Sequence, residues 1–233
     1  MKDRVKGKDY MHISVIIPAL NEEAHIERAI LSASDADEVI FVDGGSNDAT
    51  VSITEKLGAK VIISKKGRGV QQDAGAKEAK GDALLFLHAD TMLPEGWKES
   101  VAQIFTDGNI VGGAFLLGIN SDNPLLKFIN RIANIRAKYL GLIYGDQAIL
   151  VKKDKFFSIG GFRGLPIMED VDLIRRLRRH GTVKLLKEKV LTSQRRWYKK
   201  GLISTTLKNW FYLFLYYIGV SPERIYRLYY KRP

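Results

Sequence analysis

The chain predicts an α/β fold: a Rossmann-like, mostly parallel sheet flanked by helices, followed by a C-terminal helical extension. Three observations carry this. Short apolar runs alternate with segments of helical period from residue 13 to residue 87, the pattern of βαβ units whose strands are buried on both faces. Two aspartates, Asp43 and Asp90, fall where strands run out, and open α/β sheets bind ligands at the carboxyl ends of their strands. With 233 residues, 45% hydrophobic and 27% charged, the chain is long enough to bury a full core and has an ordinary globular composition.

The elements read in order. Residues 13–17 form a continuous apolar strand, stopped by Pro18. Asn21 is expected to cap a helix with Glu22 and Glu23 in its first turn and Ile26, Ala29 or Ile30, and Ala33 on its apolar face. Residues 38–42 make a second strand ending at Asp43-Gly44-Gly45-Ser46. Ser46 or Asp48 caps a helix through Leu57, closed by Gly58. A strand over 60–64, a helix over 69–79 and a strand over 83–87 complete the alternating half. Beyond it, 110–119 reads as a strand containing Gly112-Gly113, 124–140 as a helix and 148–152 as a short strand. A helix opens at Glu169, strands follow near 183–186 and 190–192, and a long C-terminal segment ends the chain. Without an internal repeat or low-complexity linker, the expected organisation is a flexible tail over 1–12, one catalytic domain over 13–200 and a helical extension over 201–233.

Charge narrows the partners. The formal net charge is +11, yet residues 10–174 hold 17 basic and 22 acidic side chains, while 175–200 hold eleven Lys or Arg against one acid, Glu188. A single basic segment beside an otherwise acidic domain argues against a nucleic-acid binder. It favours a phosphate-bearing substrate or an anionic membrane surface. There is no cysteine, which excludes disulfides, thiolate zinc sites and a cysteine nucleophile, and fits a reducing cytoplasm. The charged stretch from Met1 to Asp9 lacks the apolar core of a signal peptide. Residues 202–220 carry Trp210, Phe211 and Phe214 but are interrupted by Lys208 and Asn209, so spanning a bilayer is disfavoured. Packing on the domain or on a second copy of the chain is the first expectation for this segment. Lying at the inner face of a membrane is the alternative.

Several constellations can carry chemistry. The carboxylate of Asp43, beside two glycines that let a ligand approach the backbone, can accept protons from a uracil imide or ribose hydroxyls, or cap its own turn. Arg68, in Lys65-Lys66-Gly67-Arg68-Gly69 at a helix start, can grip phosphate oxygens with two parallel donors, or belong to a solvated basic loop. Asp90 can hold Mg²⁺ or Mn²⁺, ions that complete their shells with phosphate and water. His88 shares its strand face and is either a second ligand or a core histidine. Glu169, Asp170 and Asp172 open a helix, where the macrodipole favours negative charge. Adjacent helical positions face different ways, so Glu169 and Asp170 should have different jobs, one of them a general base.

In their order, these motifs resemble family 2 glycosyltransferases of the GT-A fold. The resemblance is carried by Ser14-Val15-Ile16-Ile17-Pro18-Ala19-Leu20-Asn21-Glu22-Glu23, by Val42-Asp43-Gly44-Gly45-Ser46-Asn47-Asp48-Ala49-Thr50 and by Gly67-Arg68-Gly69 through Gln72-Asp73-Ala74-Gly75-Ala76. His88-Ala89-Asp90-Thr91 stands at the metal motif and Glu169-Asp170-Val171-Asp172-Leu173 at the catalytic motif. The resemblance implies that Pro18, Ala19 and Glu22 line a nucleoside pocket, Asp43 contacts the base and Arg68 the nucleotide. It also implies that Asp90 binds a divalent metal and that Asp170 deprotonates the acceptor hydroxyl; on position alone Glu169 remains the competitor for that role. Many relatives have Asp-x-Asp where this chain has His88-Ala89-Asp90. Gln194-Arg195-Arg196-Trp197 is one residue shorter than the Gln-x-x-Arg-Trp motif of membrane synthases, and Arg195 and Arg196 are candidates for the diphosphate. Asp146 and Gln147, after Gly145, are candidates for donor-sugar or acceptor hydroxyls.

The resulting expectation is an inverting, metal-dependent transfer of sugar from a nucleoside-diphosphate donor, UDP-linked by preference, to a hydroxyl on a small-molecule or lipid-linked acceptor. The enzyme would be cytoplasmic or peripheral to the membrane, with a homodimer open. Competing readings are a nucleotidyltransferase, which should show a glycine-rich basic loop where this chain has Pro18-Ala19-Leu20-Asn21-Glu22, and a non-catalytic nucleotide- or membrane-binding protein.

Overall fold

The computed structural model describes residues 11–119, 121–195, 198 and 201–230. Most of the expected N-terminal tail and Arg196 lie outside the described residues. The alternating half consists of β1 (Ile13–Ala19), α1 (Ile26–Ser32), β2 (Glu38–Asp43), α2 (Thr50–Lys56), β3 (Lys60–Ile63), α3 (Arg68–Glu78) and β4 (Ala83–Phe86). Then come β5 (Thr91–Met92), α4 (Trp97–Ile104), β6 (Ile110–Ile119) and α5 (Pro124–Ile135), which runs into a π turn (Arg136–Leu140). A 3₁₀ turn (Gly145–Gln147), β7 (Ile149–Lys152), α6 (Lys153–Ser158), α7 (Glu169–Leu177) and β8 (Thr182–Thr192) follow. A helical pair, α8 (Leu202–Tyr217) and α9 (Pro222–Tyr230), ends the described chain.

The eight strands form one sheet in the order β3-β2-β1-β4-β7-β6-β8-β5. β3, β2, β1 and β4 run parallel, as do β6 and β8, whereas β7 is antiparallel to both its neighbours and β5 to β8. Strand alternation sends Val15, Ile17, Phe41 and Leu85 to a core beneath α1 and α4. It sends Ile16, Ile40, Val42 and Leu84 to a second core beneath α3, α6 and α7. Each fully buried aliphatic or aromatic side chain here contributes roughly 1.5–3 kcal/mol. On the second face α3 lies unusually close to the sheet: a Cβ on Gly75 would stand 2.5 Å from Ile16 Cγ2 and 2.9 Å from Val42 Cγ2.

This topology gathers the candidate residues at one edge. β1 and β2 end side by side, with Ala19 opposite Asp43, and β4 ends just before His88 and Asp90. Because β7 is antiparallel, its first residue, Ile149, pairs with Phe86 at the end of β4. The 3₁₀ turn that precedes β7 therefore arrives at the same edge. The carboxyl end of β8 joins them, since Thr91 pairs with Thr192 and the Ser193 N–H donates to the Asp90 carbonyl at 3.0 Å.

Several boundaries differ from expectation. Asn21 does not cap α1, which starts at Ile26; it adopts a left-handed conformation (φ 55°). Its N–H donates to Ser46 Oγ, and its side-chain oxygen accepts from the Asn47 N–H. Asn21 therefore ties the loop after β1 to the loop after β2. The expected 124–140 helix is α-helical only to Ile135, with Pro124 at its first position and the Asn123 side chain accepting from the Leu125 N–H. The two strands expected near 183–186 and 190–192 are one strand, β8, with an irregular register against β6. The α4, α6 and β5 elements were not expected. The segment expected as a helical extension turns Leu213, Tyr216 and Ile225 onto Ile167 and Val171. No helix among the described residues is long and apolar enough to cross a membrane.

Candidate active site

The site is built on the loops after β1, β2, β4 and β8, the 3₁₀ turn before β7 and the starts of α3 and α7. Asp43 is buried at the end of β2, and its Oδ2 accepts the Gly45 and Ser46 N–H groups at 2.8 and 2.9 Å. Its Oδ1 accepts the Ser46 hydroxyl at 2.6 Å. This carboxylate shapes the turn in which it sits. Gln71, on the first turn of α3, was not singled out from the sequence, yet it holds the same corner. Its amide donates to the carbonyls of Ala19 and Val42 at 2.8 and 2.9 Å, clamping the ends of β1 and β2 together. A buried polar residue on the sheet-facing side of a helix was the available signal for it. Pro18 and Ala19 are themselves buried within β1.

Glu22 donates its backbone N–H to Thr50 Oγ1 at 2.8 Å and turns its carboxylate to Arg195. The same guanidinium nitrogen lies 3.2 Å from Asp90 Oδ2. Burial lowers the proton affinity of Arg195, but the two carboxylates more than offset this and hold it protonated. Arg195 is thus the member of the 194–197 motif seen at the site, while Arg196 lies outside the described residues. The Arg195 backbone N–H donates to Ser193 Oγ at 3.3 Å, which anchors it to the end of β8.

The two adjacent acids of α7 separate as helix geometry requires. Glu169 is 4% exposed and pairs through Oε1 with Arg68 Nε at 2.8 Å. Burial pushes its carboxyl up from the ordinary value, with Arg68 working the other way. Asp170 is half-buried; its Oδ2 accepts the Gly145 N–H at 2.7 Å and its Oδ1 the Val171 N–H at 2.8 Å. Asp172 is spent on structure: it bonds Arg176 Nε at 2.7 Å, and Arg176 in turn holds the carbonyls of Ile159 and Gly161.

His88 faces the 3₁₀ turn. A Cβ on Gly145 would stand 2.6 Å from His88 Nε2 and 3.4 Å from Asp170 Oδ2, so only glycine lets the three meet. Burial, reinforced by Arg68, lowers the His88 proton affinity and keeps the ring neutral. Asp146, half-buried on the same turn, and Asp170 both act on His88 electrostatically. Gln147, expected to touch a sugar, instead points inward: its amide donates to the Phe115 carbonyl at 3.1 Å and its oxygen accepts the Tyr144 N–H at 3.2 Å. Burial pushes the Tyr144 hydroxyl up to about 12, and the Arg136 guanidinium lies 3.6 Å from its ring centroid.

Strain concentrates here. Among the described residues the non-glycine positions with positive φ are Asn21, Ala148 and Met168. They sit in the loop after β1, directly after the 3₁₀ turn and directly before Glu169. Such conformations cost on the order of 1 kcal/mol or more and cluster where a fold fixes functional groups. The far end of α9 closes in as well, since Tyr229 and Tyr230 lie near enough to act on Arg68.

The candidate donors for a divalent cation are the Asp90 carboxylate and the neutral His88 imidazole. No group of three His, Cys, Asp or Glu side chains suited to a metal occurs among the described residues. That sparse set fits an ion that relies on phosphate and water for the rest of its shell, and Asp90 already attracts a positive charge, that of Arg195.

Comparison with known proteins bears on the fold and the family. A glucosyl-3-phosphoglycerate synthase of Petrotoga mobilis is 31% identical over 173 residues, covering 71% of this chain and 42% of the relative. An uncharacterized glycosyltransferase of Rickettsia bellii is 42% identical over 99 residues, covering 42% of this chain and 34% of the relative. The matched stretch is therefore well under half of either relative's length. Among solved structures, S. aureus TarS residues 1–349 superposes with a TM-score of 0.63 at 20% identity, covering 78% of this chain and 60% of that one. The glucosyl-3-phosphoglycerate synthase of Mycobacterium tuberculosis gives 0.58 at 22% identity, covering 85% and 78%. At such identities the likeness is one of fold, that of GT-A glycosyltransferases. The Glycosyl transferase family 2 pattern matches residues 14–166, which is more than half of the chain, and the protein belongs to that family.

Proposed function

We propose that this chain transfers a sugar from a UDP-linked donor to a hydroxyl acceptor with inversion at the anomeric carbon, Asp170 acting as general base. One observation carries the choice of base. Asp170 is half-buried and positioned by two backbone N–H groups, whereas Glu169 is consumed by Arg68. A carboxylate so held can take the acceptor proton as the hydroxyl attacks, because that hydroxyl becomes acidic only as the new bond forms. Arg68 and Arg195 supply cationic donors on the diphosphate side. Glu22, Asp43 and the ends of β1 and β2 form the nucleoside wall, and Asp146 faces the sugar or acceptor hydroxyls. Asp90, with His88 beside it, would hold Mg²⁺ or Mn²⁺; when bound, such an ion offsets the charge that develops on the leaving diphosphate.

Structures of similar fold support the donor class. TarS is found with UDP and with UDP-GlcNAc, and the mycobacterial synthase with Mn²⁺, UDP-glucose and phosphoglyceric acid. A Pyrobaculum calidifontis mannosyltransferase is found with GDP-Man and Mn²⁺. Family membership also removes the reason to favour a nucleotidyltransferase. The lack of cysteine fits catalysis in the cytoplasm.

The test is a panel of nucleotide sugars scored for Mn²⁺-dependent thermal stabilisation, since a ligand that binds the folded state alone raises its stability. A UDP-sugar should stabilise both the wild type and Asp170→Asn, and transfer by the variant should fall by about 10²-fold or more. Full transfer activity in Asp170→Asn would remove it as the base.

A further inference from the structure

We infer that the face formed by α5, the π turn and α8 docks on an anionic lipid bilayer, with Arg175 and Arg178 seating a lipid phosphate at its edge. α8 packs inward through Thr205, Leu213 and Tyr216, and it exposes Leu207, Trp210, Phe211, Phe214 and Tyr217, with Ile218 exposed just past its end. These positions recur at three- and four-residue steps and so form one stripe on the outer side of the helix. α5 lies against α8 and repeats the pattern: Leu126 and Ile129 are buried, while Leu125, Phe128 and Ile135 face outward. Its exposed side continues into Tyr139 and Leu140 on the π turn. The two stripes converge, because Leu140 and Tyr217 line one cavity of about 180 Å³ together with Arg175 and Arg178. Scattered exposed apolar side chains need no explanation, but paired aromatic-rich stripes of this extent mark an interaction surface.

Charge identifies the occupant. α5 and the π turn expose Lys127, Arg131 and Lys138, and α8 exposes Lys208; of these, Lys127 pairs with Asp122 at 3.4 Å. Arg175 stands 3.9 Å from Asp172 with its guanidinium 5.5 Å from the Tyr216 ring centroid. Arg178 lies where a side chain on Gly141 would stand, and no ion pair engages it among the described residues. A second copy pressed onto this face would bring like charges together. An anionic surface instead takes the apolar stripes into its acyl boundary and the cations at its headgroups. The helical pair packs on Ile167 and Val171, the latter next to Asp170 in the chain, so docking would hold α7 and its proposed base close to the membrane. That last consequence, unlike the docking, rests on the glycosyltransferase reading.

Co-sedimentation of the full chain with vesicles of phosphatidylcholine alone, or of phosphatidylcholine mixed with phosphatidylglycerol, tests the docking. Capture is expected only with the anionic lipid and should weaken with salt. The exposed-site variant Phe211→Ser/Phe214→Ser should bind about tenfold more weakly or worse, and Arg178→Glu about fivefold. Both variants should keep the wild-type unfolding midpoint and UDP affinity, which separates a failure here from a failure of the proposed activity. Capture by neither vesicle, or by both equally, overturns the inference. A wild-type dimer in sedimentation velocity that Phe211→Ser/Phe214→Ser abolishes also overturns it, because a second copy then covers the face. Glycerol phosphate offers the same phosphate without a bilayer: if it releases the protein from vesicles the lipid source is overturned, and retention on the vesicles supports it.

Discussion

Arg195 and Asp90 are 3.2 Å apart, nitrogen to oxygen, and the same guanidinium also bonds Glu22. One cation from the end of β8 therefore occupies the carboxylate proposed for the metal and the one proposed for the nucleoside wall. Arg195→Ala removes a charge that competes for Asp90. Mn²⁺ alone should bind this variant about fivefold more tightly or better. UDP should bind it about tenfold more weakly for want of a donor to the diphosphate. Calorimetric titration of each ligand reads both effects, and an unaltered Mn²⁺ affinity would refute the competition.

Gly145→Ala introduces a methyl group 2.6 Å from His88 Nε2 and 3.4 Å from Asp170 Oδ2. The misfit should cost about 1–3 kcal/mol of stability. Displacing the proposed base should lower the rate of transfer by about 10²-fold, with nucleotide binding retained. Urea unfolding and steady-state kinetics on one preparation distinguish the two effects. A variant with normal kinetics would show that the contact does not position Asp170.

Arg68→Ala leaves the buried Glu169 carboxylate without its partner. Because Arg68 is about half exposed, 45%, the expected loss at neutral pH is about 1–3 kcal/mol. The pH dependence follows from the direction of the shift. A carboxyl raised above its ordinary value of 4.5 contributes stability at pH below that value and loses it as pH rises through the folded-state value. Without Arg68 the folded-state value moves further up, so the deficit should be small near pH ~4 and should grow toward pH ~7. Adding Glu169→Gln should recover most of it. A deficit independent of pH would contradict this account.

Asp37 gives the opposite sign. Burial alone would raise its carboxyl, but the Ile13 N–H at 2.8 Å and Lys98 Nζ at 3.0 Å hold it below the ordinary 3.8. Its contribution is therefore present above pH 3.8 and lost as pH falls through the lower folded-state value. Asp37→Asn should cost about 1 kcal/mol at pH 7, and the difference from wild type should vanish in strong acid. Urea titrations across this range measure it.

The alternating half of the fold was legible because its signals are local. Apolar runs mark β1 to β4, and turn residues such as Gly58 bound the helices between them. The elements that escaped lack such signals. α4 begins after a left-handed Gly96 with no side-chain cap, and α6 starts at Lys153 with no break after β7. The joining of two expected strands into β8 depends on pairing with β6 more than sixty residues earlier in the chain, which no local pattern encodes. In the site, Gln147 was misread because Gly145-Asp146-Gln147 looks like an exposed polar turn. Only the backbone carbonyl of Phe115 on β6, which accepts from it at 3.1 Å, turns the amide inward.

The sequence by itself determined that acids stand at the ends of β2 and β4 and at the start of α7, and that the chain belongs with the family 2 glycosyltransferases. Those features reside in contiguous motifs with local geometry. The tertiary structure decided how the acids are partnered: Glu169 goes to Arg68, Asp170 to the Gly145 backbone, and Asp90 shares Arg195 with Glu22. Each pairing joins segments brought together by strand order, above all by the antiparallel β7 and the parallel return of β8 to the same edge. Charge pairing falls off within a few ångströms, so the division of labour among these carboxylates exists only once the sheet has formed.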